Sequence, residues 1–224
     1  MKISLLIFIF LFSSQVFSTP QIPDTLVYDG KKYDFDLDYF SPAHKYFHEN
    51  DFVAPKEAVI TTANYYPFIF TYEIINSNLY LTDVNIYVKG INTYLQVKSV
   101  FKDYFPNDDK ILMNVNQIVI IPNGEIISTD TNGWSDSYNS KYLIFQFSKG
   151  KVTKSLNLTH EEFLNECKNQ FQDYKTTREF KSLIKSAKFN EELNIHNKIY
   201  PSELNLTAEQ YMEKRIFYYL DYIR

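Results

Sequence analysis

The sequence predicts an α+β fold: an antiparallel β-sheet of successive hairpins with one packed helix, followed by three C-terminal helices. Three observations predict it. From Phe68 to Lys89 apolar and polar residues alternate on both sides of the turn-forming Asn76-Ser77-Asn78, the period of a half-buried strand pair. Further turn signals at Asp29-Gly30, Pro122-Asn123-Gly124 and Ser148-Lys149-Gly150 separate short apolar runs. Beyond Leu156 the apolar spacing changes to that of helices, and helix-start signatures recur at Thr159 and Thr207.

In chain order, Lys2, the apolar run Ile3 to Phe12 and the small residues ending at Ser18 read as a secretory signal peptide cut after Ser18. The run is shorter than the roughly 20 residues of a membrane span, and no later run approaches that length. The expectation is a secreted or periplasmic protein with no integral membrane segment. Residues 19–156 then form the sheet domain, and residues 157–224 a helical extension packed on it.

Thr25 to Tyr28 and Lys31 to Tyr33 flank the Asp29-Gly30 turn. Ser41 and Pro42 open a short helix as N-cap and first residue, ending near Asn50-Asp51. In the central hairpin Phe68, Phe70, Tyr72 and Ile74 share one face. Leu79, Leu81, Val84, Ile86 and Val88 answer them, with a phase slip near Thr82-Asp83 that predicts a bulge or bend. Tyr94, Leu95, Val97, Val100, Phe101 and Tyr104 predict a helix over 91–105 lying on the sheet, stopped by Pro106.

Ile111 to Val115 and Gln117 to Ile121 read as strand, turned at Pro122-Asn123-Gly124 into Glu125 to Ile127. A polar loop, Ser128 to Ser140, carries the single Trp, Trp134. Tyr142 to Phe147 and Lys151 to Leu156 form the last hairpin. The first C-terminal helix starts with Thr159 as cap, Glu162 reaching back and Leu158 stapled on Phe163; its buried stripe is Phe163, Leu164, Cys167, Phe171 and Tyr174. Phe180, Leu183, Ile184 and Ala187 outline the second helix, and Met212, Ile216, Leu220 and Ile223 the third. Capping chemistry accounts for the matched Leu156-Asn157-Leu158-Thr159 and Leu204-Asn205-Leu206-Thr207 without a duplication, and for their Asn-x-Thr triplets without glycosylation.

Net charge is −4, which argues against a phosphate-tracking surface and hence against nucleic acid. With 19 Tyr and 19 Phe against 5 Gly, the chain is rich in bulky rings suited to half-buried sheet surface. Cys167 is alone, so no internal disulfide staples the fold; its place on an apolar stripe reads as core.

Thr61-Thr62-Ala63-Asn64-Tyr65-Tyr66-Pro67, running into Phe70-Thr71-Tyr72-Glu73-Ile74 and Leu79-Tyr80-Leu81, resembles uncharacterised bacterial secreted proteins. Leu26-Val27-Tyr28-Asp29-Gly30 and Phe145-Gln146-Phe147-Ser148-Lys149-Gly150-Lys151 extend the resemblance over about residues 22–152. It implies no activity. Where those proteins tend to have Trp, Arg and Gly in the aromatic step, this chain has Tyr65, Tyr66 and Pro67.

No arrangement of nucleophile, base, metal ligands or phosphate loop stands out, and no catalytic residue or cofactor is assigned. His44 and His48 lie four residues apart, aligned on one helix face as zinc ligands can be, with Glu49 or Asp51 nearby; a third ligand has to come from elsewhere. Trp134 and Tyr138, among short polar residues, offer a surface that stacks a sugar or grips a peptide; the alternative is that Trp134 folds back to cap the sheet. Asp136 with Asp38 or Glu73 is a conceivable carboxylate pair for glycoside hydrolysis. The expected function is non-catalytic binding of an unknown protein, peptide or glycan. The alternative is a metal-dependent or carboxylate-dependent hydrolase using His44 and His48. Scarce glycine and few histidines weigh against the latter.

Overall fold

The computed structural model describes residues 22–35, 42–61, 66–90, 94–131, 134–199 and 205–223. The leader with its cut after Ser18, the Ser41 cap, Asp38 and Tyr65 lie outside the described residues. The chain runs β1 (Asp24–Tyr28), β2 (Lys31–Phe35), α1 (Pro42–Glu49), β3 (Ile69–Ile75), β4 (Asn78–Lys89), β5 (Leu95–Ser99), α2 (Phe101–Tyr104), β6 (Ile111–Leu112), β7 (Gln117–Thr131), β8 (Trp134–Ser148) and β9 (Lys151–Thr159). Helices α3 (His160–Tyr174), α4 (Arg178–Leu183), α5 (Ala187–Ile199) and α6 (Ala208–Lys214) follow, then a short 3-10 turn at Ile216–Tyr218. This is an α+β protein with a largely antiparallel sheet, and four of its six helices among the described residues follow the last strand. No helix of the described residues is long and apolar enough to cross a membrane.

Tight turns set the strand pairing. Asp29-Gly30, Asn76-Ser77 and Lys149-Gly150 each place two successive residues at positive φ, between 49° and 78°. That geometry has the twist of the flanking strands and fixes two-residue hairpins at β1–β2, β3–β4 and β8–β9. The strands order as β2-β1-β3-β4-β9-β8-β7, with β5 and β6 also on β4. All described pairings are antiparallel except β1 with β3, which makes the sheet mixed. Thr71 opposes Asp83 and Tyr72 opposes Leu81, so Thr82 is the extra residue of a bulge, the first of the two forms the phase slip allowed. It returns Val84 and Ile86 to the face of Leu79 and Leu81, and all four are fully buried.

Four expectations are corrected. The helix expected over 91–105 is strand β5 followed by the single turn α2; residues 91–93 lie outside the described residues. Asn85 to Lys89 of β4 has backbone groups to satisfy, and β5 pairs with them in register from Asn85↔Ser99 to Lys89↔Leu95. The helical stripe is not buried there: Tyr94 is 75% and Val97 58% exposed. Pro122-Asn123-Gly124 does not turn the chain but bends β7 within the ladder. Gly124 (φ 79°) and Glu125 both oppose Ser140, and Pro122 is tolerated because β7 ends the sheet order. In the polar stretch expected as a loop over 128–140, residues 128–131 and 134–140 are strand, since β7 and β8 continue pairing out to Thr131↔Trp134; residues 132–133 lie outside the described residues. The three C-terminal helices are four among the described residues. Thr177 caps α4, and Ser186 Oγ accepts the Phe189 N–H (3.2 Å), so fresh caps split the second helix. The capping boxes of Thr159 with Glu162 and Thr207 with Gln210 are both formed.

Two apolar cores sit on opposite faces of β7–β9. Leu26, Phe70, Tyr72, Leu79 and Ile86 meet Val119, Ile121, Leu143, Phe145 and Phe147 in the first, with Phe47 of α1 and Phe101 of α2. In a flat sheet β1 and β8 stand four strand spacings apart, about 19 Å. Yet the Tyr28 and Phe145 rings touch edge to face at 4.8 Å, so the sheet coils back on itself. The second core joins Ile118, Ile120, Ile144, Leu156 and Leu158 to Cys167, Phe171, Phe180, Phe189, Tyr211 and Phe217 of the helical region. Hence Tyr142, Leu143, Ile144 and Phe145 are buried in succession, because β8 is covered on both faces.

The Lys149-Gly150 turn predicts a contrast between two glycines. A Cβ on Gly30 meets nothing within 4 Å, so Gly30→Ala costs only its positive φ, about 1–2 kcal/mol. At Gly150 the added Cβ overlaps the Met113 carbonyl oxygen, and Gly150→Ala costs at least about 3 kcal/mol. Urea midpoints of the two variants check this; equal losses contradict it.

Candidate functional site

The feature that sequence reading did not foresee is an arm. β9 ends its pairing at Thr159↔Lys141, and from Ile126↔Asn139 outward β7 and β8 continue as a two-stranded ribbon. The Gly124-Glu125 bulge marks its base, where the Glu125 N–H donates to Ser140 Oγ (2.9 Å). Ile126 is 72% exposed on this ribbon. Trp134 stands first in β8, opposite Thr131 near the tip, and Asp136 opposes Thr129. No further strand pairs with the ribbon among the described residues.

A bare two-stranded ribbon is marginal in water, so its base needs support. Tyr138, opposite Ile127, stacks on the His160 ring at 3.9 Å and 24°. The Thr159 capping box places His160 at the start of α3. There His160 Nδ1 lies 3.3 Å from the Tyr142 hydroxyl, and the Tyr142 ring stacks on Phe163 at 4.1 Å and 14°. Burial pushes the Tyr142 phenol above its ordinary value, which keeps it neutral at physiological pH. Tyr138 therefore anchors the arm as well as offering an aromatic edge beside it.

The two candidate metal histidines have different surroundings. Ala43 and Phe47 form the buried face of α1, and the Ala43 N–H donates to Tyr72 Oη (3.0 Å). His44 is half-buried, its ring 3.9 Å from Tyr66 and 5.2 Å from Phe70, whereas His48 is exposed. Glu49 is held by Lys45 (3.7 Å) in a surface pair. Among the described residues no three His, Cys, Asp or Glu side chains gather as a metal set would. Glu73 opposes Tyr80 in the central hairpin, so Glu73 and Asp136 belong to different hairpins. The Cys167 thiol, buried in the second core, is pushed up to about 12 chiefly by burial and stays protonated.

Burial pushes the His44 imidazole down from 6.5 to about 4. Above pH 6.5 both folded and unfolded chains hold it neutral, and this stability is fully present. As pH falls towards 4 the unfolded chain takes the proton first, so stability declines through that window. Urea midpoints between pH 7 and pH 4 check this. The wild type is expected to lose more than His44→Phe, and parallel loss in both contradicts a neutral His44.

No family model, curated protein or solved structure matches this chain.

Proposed function

We propose that the protein is a secreted or periplasmic, non-catalytic binding module that engages a protein, peptide or glycan through the β7–β8 arm. The observation that carries this reading is the ribbon from Ile126↔Asn139 to Thr131↔Trp134, which runs on beyond the third strand. Its outer backbone edges suit an extended segment added as a further strand. A Trp near the tip, amid Ser, Thr and Asp, adds the ring and short polar groups that grip a peptide or sugar. The Tyr138–His160 stack supports the presentation of that surface from a fixed base.

Thermal shift and calorimetry against peptide and glycan panels test the proposal. Binding is expected in one of these classes, weakened at least ten-fold by Trp134→Ala with the circular dichroism spectrum unchanged. Stoichiometric zinc, lost on His44→Ala and His48→Ala, would replace this reading with the hydrolase. N-terminal sequencing is expected to find Thr19 first; an uncut Met1 on cytoplasmic protein contradicts the export part.

A further inference from the structure

On the helical side of β7 and β8 lies an open cleft of about 310 Å³, built from parts far apart in sequence. Its floor is a run of near-parallel rings. Tyr142 lies on Phe163 at 4.1 Å and 14°, and Phe163 faces Phe217 at 6.0 Å and 23°. Ile120 of β7 and Leu206 ahead of α6 are among the lining residues. Leu206 is fixed by the Asn197 amide, which accepts its N–H (3.2 Å) and donates to its carbonyl (3.3 Å).

Among the described residues, the charged side chains that line the cleft are Lys214 and Arg215, and none of them is a carboxylate. Arg215 is exposed; its guanidinium sits 5.2 Å from the Tyr211 ring centroid and donates one N–H to Tyr211 Oη (3.2 Å). No carboxylate of the described residues forms an ion pair with it. The guanidinium fork has five N–H donors, so its bond to Tyr211 leaves donors for an oxyanion. The Arg215 guanidinium beside an aromatic floor, on a chain of net charge −4, selects negative charge locally. The volume is at the lower end for small-ligand sites, which suits one ring or a short chain.

We propose that this cleft binds a small carboxylate with an apolar body, of the arylalkanoate class, its body against the Tyr142, Phe163 and Phe217 rings and its carboxylate on Arg215. This site is separate from the strand edges of the arm and does not depend on the arm's function.

The test titrates the intact mature chain with 3-phenylpropionate, 3-phenylpropanamide and 2-phenylethylamine, followed by calorimetry and amide chemical shifts. The expected result is saturable binding of the carboxylate, with the amide and the amine at least ten-fold weaker. Arg215→Gln is expected to weaken the carboxylate about ten-fold and leave the amide unchanged, while Arg215→Lys retains part of the affinity. Trp134→Ala leaves all of these values unaltered. Three results would each overturn the proposal: no saturation by the carboxylate up to about 10 mM, equal affinity for acid and amide, or an Arg215→Gln loss shared equally by both.

Discussion

Everything in this fold hangs on the close approach of the Lys149-Gly150 turn to the start of β4. Strands β4 and β9 share a single ladder pair, Asn78↔Lys151, and through it the two halves of the sheet become one. A small network of backbone bonds surrounds that pair. The Leu79 N–H donates to the Gly150 carbonyl, the Gly150 N–H to the Val115 carbonyl and the Met113 N–H to the Leu79 carbonyl, each at 2.9 Å. The Val152 N–H donates to the Ser77 carbonyl at 2.7 Å, which ties one hairpin turn to the other. Backbone can come this close to Met113 only where no Cβ intervenes, so glycine at 150 is a requirement of the architecture.

That junction determines where apolar residues go. Once β9 is pinned beside β4, β7–β9 coil under the first half-sheet, and Phe145 reaches Tyr28. Burying a Phe in this way contributes on the order of 2–3 kcal/mol, and the first core is built largely from such rings. The opposite face of the same strands is then left apolar and has to be covered. A bulge at Thr153 resolves the conflict, because Phe147 opposes Val152 while Gln146 opposes Lys154. Val152 thereby points to the first core, whereas Leu156 and Leu158 point to the second. Gln146 closes the arrangement by accepting the Ile223 N–H (2.7 Å), which ties the end of the chain to β8.

The turns and caps were legible in the sequence because they are decided locally. Asp29-Gly30, Asn76-Ser77 and Lys149-Gly150 turn wherever they occur between strands, and Thr159 with Glu162 caps whatever helix follows. What misled was any segment whose partner lies far away. Leu95 to Ser99 carries a helix-like spacing over too few residues to outweigh an open edge on β4. Pro122-Asn123-Gly124 has the composition of a turn, but the β8 ladder on its other side makes it a bulge. The polar 128–140 stretch carries no alternation of apolar and polar residues, so periodicity could not reveal the ends of β7 and β8 as strand.

The candidate sites follow the same division. Trp134 and Tyr138 were visible as aromatic residues in a polar setting, but the anchoring of Tyr138 by His160 needed the fold. The cleft of Tyr142, Phe163, Arg215 and Phe217 had no local signal, since β8, α3 and the chain after α6 each supply one part. The spacing of His44 and His48 gave a helix face but not its surroundings, and an aromatic pocket took up the first while solvent took the second.

Native-state hydrogen exchange at the Leu79, Met113, Gly150 and Val152 amides tests the junction most directly. The account predicts that these amides exchange only through global unfolding, with the same free energy and denaturant slope as Phe145 in the first core. Exchange through a low-energy local opening, with the two half-sheets separating while each core stays protected, would contradict it.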